Sequence, residues 1–387
     1  MESMNSKKIA DKFKSLFKTE AHVFRSPGRI NLIGEHTDYN DGYVLPAAID
    51  KSIIAAVNVN SQNLLRFYSI DFEQYFELKI TDLKVQDHQW ANYLLGVVAQ
   101  FQKRGLNISG LDCVFGGDIP IGAGLSSSAA LECVLAFAIN KIHGFGLELM
   151  ELVRLSQKAE HEYAGVNCGI MDQFASMFGK EDHGMLLDCR SLEYEYSPIR
   201  LDNYSIVLVN TNVSHNLAAS EYNTRRQECE AGVEILKKHK MEITALRDVD
   251  SEVLEAHRNE FPNHVYKRCK HVVEENHRVL AARKALNEGN HKRFGQLIYD
   301  SHSGLCNDYE VSCPELDFLV ELAKESGKVI GARMMGGGFG GCTINFVNHS
   351  FTKEFSEMIL KKYNAHTGIV AEIYIVKICN GTSSFNF

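Results

Sequence analysis

One polar segment between apolar flanks, residues 25–50, places the strongest constraint on how this chain can fold. Within 13 positions it carries nine side chains that form hydrogen bonds or bear charge: Arg29, Asn31, Glu35, His36, Thr37, Asp38, Tyr39, Asn40 and Asp41. Residues 30–33 before them and 44–49 after them are largely apolar, which favours burial on both sides. Composition alone fits a solvated loop equally well. The apolar flanks favour a pocket for a polyhydroxylated ligand, because buried polar groups need partners.

This segment resembles a known family signature. Residues 28–50 are similar to the galactokinase signature of the GHMP small-molecule kinases, which include galactokinases, homoserine kinases and mevalonate kinases. The resemblance implies that Arg29 is catalytic and that sugar is bound by Glu35, His36, Asp38, Gly169 and Tyr222. Tyr222 lies in a second galactokinase-like segment, SHNLAASEYNTRR, which opens a helical region predicted over residues 214–240.

A Gly- and Ser-rich motif, GGDIPIGAGLSSSAALE at residues 116–132, lies between a predicted strand and a predicted apolar helix. Free backbone N–H groups and the helix dipole make such a junction suitable for an anion. A Ser-rich helix cap is the alternative, but three serines after two spaced glycines exceed what a cap requires. The motif lacks the G-K-[S/T] ending of a Walker loop and resembles the GHMP ATP loop. The predicted ATP-binding residues are Gly122, Ala123, Gly124, Leu125, Ser126, Ser127 and Ser128.

Acidic residues follow at positions that match the same family. Asp172 stands among the apolar residues 170–175, and its pattern alone favours a helix cap. The resemblance to the galactokinase G-I-M-D-Q segment instead implies a base that accepts the sugar hydroxyl proton, with Arg29 as its partner. Ser128 and Glu160 match the family's metal positions, which implies Mg²⁺ with ATP as co-substrate. Glu160 read alone also fits an exposed helical acid.

A third motif, GARMMGGGFGGC at residues 331–342, has five glycines in six consecutive positions. That density is incompatible with a stable helix or an ordinary strand. A flexible linker is disfavoured, because the motif contains Arg, Met and Phe and is bracketed by predicted helices and strands. The family places this loop against the active site. Met335 stands where the family usually has Thr, so any contact made by that side chain is in doubt.

Charge and cysteine use narrow the class of protein further. Net charge is −8, which argues against a broad nucleic-acid footprint, and the absence of an apolar run of 18 residues argues against a membrane span. Ten cysteines without a C-x-x-C pair predict reduced thiols of a cytoplasmic protein. Sixteen histidines show no H-x-x-x-H or H-E-x-x-H pairing, so the sequence predicts no metal site built from histidine. A monomer is expected.

The three motifs together imply an α+β, two-lobed GHMP kinase fold with the active site in the inter-lobe cleft. The expected lobes are residues 1–180 and 181–387, with the boundary placed to within about ten residues. The implied reaction transfers the ATP γ-phosphoryl group to the anomeric hydroxyl of galactose, the first step of galactose catabolism. The alternatives are an N-acetylgalactosamine kinase, since relatives share these signatures, and a non-catalytic galactose and ATP sensor, which would tend to lose Asp172.

Overall fold

The computed structural model describes residues 2–120, 122–213, 218–239 and 242–385. Ile121 of the Ser-rich motif, residues 214–217 and Lys240 of the predicted helical region therefore lie outside the described residues. Among the helices of the described ranges, none combines the length and the apolar character that a bilayer crossing requires.

Strands and helices alternate in short groups along the chain. The strands are β1 (His22–Asn31), β2 (Tyr43–Val44), β3 (Pro46–Asn60), β4 (Leu64–Ser69), β5 (Gln74–Lys79), β6 (Gly110–Gly117), β7 (His183–Asp188), β8 (Tyr194–Pro198), β9 (Tyr204–Asn210), β10 (Val329–Met334), β11 (Cys342–Asn348), β12 (Glu372–Val376) and β13 (Ser383–Ser384). The helices are α1 (Glu2–Phe17), α2 (Gln89–Lys103), α3 (Ser127–His143), α4 (Leu149–Ala159), α5 (Met171–Phe178), α6 (Ala218–Lys237), α7 (Ser251–Ala256), α8 (Asn263–Asn287), α9 (His291–Asn307), α10 (Pro314–Glu325) and α11 (Thr352–Thr367).

The largest sheet has six strands in the order β13–β1–β3–β6–β4–β5. Its pairs are antiparallel except β4 with β6, which is parallel. Apolar residues of α1, such as Phe13, pack with Val23, Ile54 and Val114 in one small core. A much larger core contains the apolar face of α3 together with Ile30 and further strand residues. The sheet is therefore covered by helices on two sides, as its mostly apolar strands require.

Two smaller sheets complete the fold. The antiparallel strands β10–β11–β9–β12 form one, which packs against α10 and α11 through residues such as Phe355 and Ile359. The strands β2–β7–β8 form the other, so segments after residue 180 pair with Tyr43 and Val44. Helix α8 places Val279 and Leu286 in the same large core as Leu32, which brings the second half of the chain against the polar segment.

The structure also changes some local expectations. The sequence of residues 147–164 predicts one helix, but α4 ends at Ala159 and the chain continues as a π-helical turn, Glu160–Ala164. The third motif is not loop throughout, because its first residues, Gly331 to Met334, belong to β10. Strand β8 was not expected, since its residues are mostly exposed and show no strong apolar alternation.

Candidate active site

Residues from all three motifs surround one cavity of about 400 Å³. Every residue predicted for the site lines this cavity except Ala123, which is fully buried in the large core. Further lining residues that the sequence did not single out for this site are Pro120, Val166, Cys168, Met171, Gly336 and Gly337. Segments far apart in sequence are thus brought to one place.

At the centre, Arg29 on β1 and Asp172 on α5 form a forked ion pair. Nε of Arg29 donates to Oδ1 of Asp172 at 2.8 Å, and Nη2 donates to Oδ2 at 2.9 Å. Arg29 is almost fully buried, and burial lowers its pKa, but Asp172 together with Glu35 and Asp38 raises that pKa overall. The pair therefore places the Asp172 carboxyl group beside the cavity, in the bidentate geometry that suits arginine.

The Ser-rich loop is fastened to this ion pair. Nη1 of Arg29 donates to the Gly124 carbonyl at 2.6 Å, and Oγ of Ser126 donates to Oδ2 of Asp172 at 2.5 Å. Ser126 caps α3 with a φ of 58°, a left-handed conformation that is unusual for a residue with a side chain. The loop thus presents the start of α3 to the cavity, while the hydroxyl of Ser126 points at the carboxylate.

Near the Arg29–Asp172 ion pair, the side-chain oxygens of Ser128 and Glu160 meet in the wall of the same cavity. Oγ of Ser128 donates to Oε1 of Glu160 at 3.1 Å, and Nε2 of Gln173 donates to Oε2 of Glu160 at 2.6 Å. Burial and then the charge of Asp172 raise the pKa of Glu160. A cation near the two oxygens would offset both effects. Glu160 is therefore not an exposed helical acid, because the π-helical turn places it in the cavity wall.

On the opposite side, Asp38 and Gly169 are in close contact. A Cβ atom at position 169 would lie 1.9 Å from Oδ2 of Asp38, so only glycine leaves room for this carboxyl group. Burial and then the charge of Asp172 raise the pKa of Asp38 to about 7. Asp38 can therefore donate or accept hydrogen bonds to a ligand near neutral pH.

Aromatic residues form the wall next to Asp38. Nε2 of His36 lies 3.2 Å from the Gly337 carbonyl, and Nδ1 lies 2.7 Å from the Tyr39 hydroxyl. The Tyr39 hydroxyl is in turn 2.8 Å from that of Tyr309. Because a carbonyl only accepts, His36 carries its proton on Nε2 and accepts from Tyr39. Burial lowers the pKa of His36 to about 3, which keeps the ring neutral. The Tyr222 ring packs beside it, 5.3 Å away.

Glu35 is held by the Gly-rich loop. Oε1 accepts from both terminal nitrogens of Arg333 at 3.2 Å and from the Gly336 backbone N–H at 2.9 Å. Arg333 is fully buried and also donates to the carbonyls of Asn31 and Leu32. Among the described residues, the protein donors to Glu35 all use Oε1, so Oε2 is the oxygen left for a ligand.

Besides those six lining residues, the sequence did not identify the buried groups that support the site. Arg333 was noted only as a reason against a linker, although it orients Glu35. Tyr309 and the fully buried His271, whose Nε2 is 3.4 Å from the Glu35 carbonyl, carried no motif signal. Met335 is buried and does not line the cavity, so the departure at this position changes no lining side chain.

Comparison with protein families gives three matches along the chain. A profile described as the galactokinase galactose-binding signature matches residues 11–59. The GHMP kinase N-terminal and C-terminal domains match residues 92–180 and 282–363. The galactokinase of Clostridium acetobutylicum is 44% identical over 98% of this chain and 98% of its own length. That of Bacillus subtilis is 44% identical over 95% of this chain and 96% of its own.

Comparison with solved structures also finds members of the GHMP kinase family. The structure of Lactococcus lactis galactokinase complexed with galactose has a TM-score of 0.95 at 36% identity, covering 98% of this chain and 99% of that one. The mevalonate kinase of Methanococcus jannaschii has a TM-score of 0.64 at 18% identity and covers 94% of this chain and 100% of its own, which supports likeness of fold alone. The expected GHMP kinase fold is confirmed.

Proposed function

This chain belongs to the galactokinase family of GHMP kinases, and we propose that it transfers the γ-phosphoryl group of ATP to the anomeric hydroxyl of galactose. The products are galactose 1-phosphate and ADP. The observation that carries the proposal is the cavity in which Asp172, Arg29 and the sugar-side residues Glu35, His36 and Asp38 meet the Ser-rich loop. The similar proteins above include galactokinases, and that of Lactococcus lactis was solved in complex with galactose.

In the proposed reaction, Asp172 acts on the nucleophile. The anomeric oxygen forms a bond to the γ-phosphorus, the bond from that phosphorus to the β–γ bridging oxygen breaks, and the hydroxyl proton passes to Asp172. Arg29 holds Asp172 through two hydrogen bonds, so the carboxylate is oriented before the sugar arrives. Because phosphoryl transfer depends chiefly on positioning and charge stabilisation, orientation of the hydroxyl by Asp172 contributes much of the rate.

We propose Mg²⁺ as the metal, held by Ser128 and Glu160. Their facing oxygens are 3.1 Å apart in the cavity wall, and oxygen ligands are those that Mg²⁺ prefers. When bound, Mg²⁺ neutralises charge on the phosphate oxygens of ATP. Gln173 fixes the other oxygen of Glu160, so the carboxylate keeps its orientation. Residues Gly122 to Ser128, with Ala123 contributing backbone only, are the proposed phosphate cradle.

On the sugar side, we assign Glu35, His36, Asp38, Gly169 and Tyr222 to galactose. Carboxyl groups held in fixed positions accept hydrogen bonds from sugar hydroxyls and discriminate against analogues that leave them unpaired. Gly169 acts by making room for Asp38. The aromatic wall that includes Tyr222 offers an apolar surface next to these polar groups.

The decisive experiment measures ADP release from ATP and Mg²⁺ with galactose, N-acetylgalactosamine, glucose and mevalonate offered separately. We expect strong turnover with galactose alone. Turnover with N-acetylgalactosamine at equal efficiency would replace the proposed substrate with the alternative. Galactose binding without turnover would favour a sensor and contradict the proposed enzyme. Replacing Mg²⁺ with Ca²⁺, which takes longer bonds and more ligands, is expected to lower turnover and tests the metal assignment.

We further propose that the enzyme is a monomeric cytoplasmic protein that acts on small molecules and binds neither nucleic acid nor membrane. We also propose that its two lobes divide after residue 180. Each of the ten cysteines has a free thiol, which supports a reducing compartment. Strand β7 follows residue 180 but pairs with β2, and β8 pairs with β7, so elements cross this proposed division. Light scattering after gel filtration tests whether the protein is monomeric, and limited proteolysis tests where the boundary between the lobes lies.

A further inference from the structure

Two histidines and a glutamate meet on the surface of the second half of the chain. His239 follows α6, His257 follows α7, and Glu260 lies in the short 3₁₀ turn Arg258–Glu260. One ligand atom from each of the three lies within 4.8 Å of the other two. None of the three lines the proposed active-site cavity. Because the residues are not spaced as a sequence motif, only the folded chain brings them together.

Hydrogen bonds hold the three groups in position. Nε2 of His239 lies 2.7 Å from Oε2 of Glu260, and the two imidazole rings have centroids 4.2 Å apart. Nδ1 of His257 is 2.9 Å from the Val253 carbonyl, so it carries the proton and leaves the lone pair on Nε2. The Glu260 backbone N–H donates to the His257 carbonyl at 2.9 Å. A carbonyl behind a ligating imidazole is the usual support for a metal-binding histidine.

We propose that His239, His257 and Glu260 form a site for a zinc-like divalent cation, separate from the Mg²⁺ proposed for catalysis. Two imidazoles and one carboxylate are a known ligand set for zinc, with a water molecule in the fourth position. Tetrahedral bonds of about 2.0–2.1 Å place ligand atoms roughly 3.3 Å apart, which small side-chain rotations reach from the observed separations. The His239 and Glu260 side chains are 34% and 44% exposed, so an ion can enter from solvent.

The ligand set also distinguishes this proposed zinc site from the proposed Mg²⁺ site. Mg²⁺ prefers six oxygen ligands, whereas this site offers two nitrogens and one carboxylate. A bound cation would add a link between the end of α6 and the segment after α7, which already pack in one hydrophobic core through residues such as Leu236 and Phe261. Stabilisation of the folded chain follows, because the unfolded chain does not hold the three ligands together.

The test is equilibrium binding of Zn²⁺ to the full chain in the presence of excess Mg²⁺, with metal counted after dialysis. We expect the wild-type chain to hold one more Zn²⁺ than the double variant H239N/H257N, and Glu260→Gln to weaken that site by at least about tenfold. His277→Asn is the matched control, because it removes an exposed histidine elsewhere on the same half of the chain.

Thermal unfolding supplies a second readout that is independent of activity. Zn²⁺ should raise the melting temperature of the wild-type and His277→Asn chains and leave that of the double variant unchanged. Unfolding curves without metal establish that the variants fold. Equal Zn²⁺ stoichiometry and affinity in the wild type and the double variant would overturn the site. Glu260→Gln keeps a hydrogen-bonding group, so unaltered Zn²⁺ affinity in that variant would remove Glu260 from the ligand set.

Discussion

Arg29 and Asp172 meet through two parallel hydrogen bonds of 2.8 and 2.9 Å, across 143 positions of sequence. The same two residues also fasten the Ser-rich loop, through the Gly124 carbonyl and the Ser126 hydroxyl. One ion pair therefore orders both the proposed base and the proposed phosphate cradle. Changes to either residue are expected to affect turnover more than folding.

Asp172→Asn and Asp172→Ala should each lower kcat by roughly 10²- to 10⁴-fold, because neither side chain accepts the hydroxyl proton. Arg29→Ala should lower kcat by a comparable factor, since Asp172 then loses its orientation. Steady-state ADP release measures the loss, and circular dichroism checks that the variants stay folded. Asp202→Asn, an exposed change of the same kind, is the control. Near-wild-type turnover in a folded Asp172→Ala variant would contradict the proposal that Asp172 is catalytic.

Gly169→Ala should reduce kcat/KM for galactose by roughly 100-fold, because the added methyl group displaces the carboxyl group of Asp38. The test is a double-mutant cycle with Asp38→Ala. If Gly169 acts through Asp38, the alanine at 169 should add little to the loss already caused by Asp38→Ala. Additive losses in the double variant would show instead that Gly169 contributes independently of Asp38.

Arg333→Met should lower the free energy of unfolding by about 3–5 kcal/mol, because it leaves Glu35 buried without its cation. Urea denaturation measures the change. Adding Glu35→Gln should restore part of the loss by removing the unpaired charge. Arg293→Met removes an exposed arginine and should stay within about 0.5 kcal/mol of the wild type. A similarly small effect of Arg333→Met would contradict the role given to this residue.

His271 predicts a pH dependence of stability. Burial, opposed by Glu275 and aided by Arg278, lowers the pKa of His271 from 6.5 to about 4. Between these values the unfolded chain binds a proton that the folded chain does not, so acid favours unfolding by about 1.4 kcal/mol per pH unit. His271→Gln should therefore lose stability less steeply as pH falls from 6.5 to 4. Parallel curves for the variant and wild type would refute this, and His277→Gln is the control.

The residues that line the site could be predicted from the sequence more completely than the buried residues that hold them in position. Glu35 and Asp38 lie in a dense local motif, whereas Asp172 could be predicted only through the family resemblance, because its own pattern favours a helix cap. Arg333, Tyr309 and His271 act through contacts that join distant segments, and no local pattern predicts which buried polar groups will meet. The sequence alone left open whether Glu160 lines the cavity or is an exposed helical acid. The structure distinguishes the two, because a π-helical turn changes the direction in which residues after Ala159 face.

Secondary structure followed the same rule. The apolar spacing of residues 90–104 predicts a helix, so α2 was expected close to where it occurs. The weakly patterned β8 and the two-residue β13 were not, because their formation depends on a neighbouring strand rather than on their own residues.

The pairing of β13 with β1 has a consequence for synthesis on the ribosome. Phe24 and Arg25 are made about 360 positions before their partners Ser384 and Ser383. During translation, the outer edge of β1 therefore stays without its neighbour, and an open strand edge is a site for wrong pairing with other chains. Nascent chains stalled before residue 383 should accordingly bind chaperones that recognise extended segments more than chains released after it.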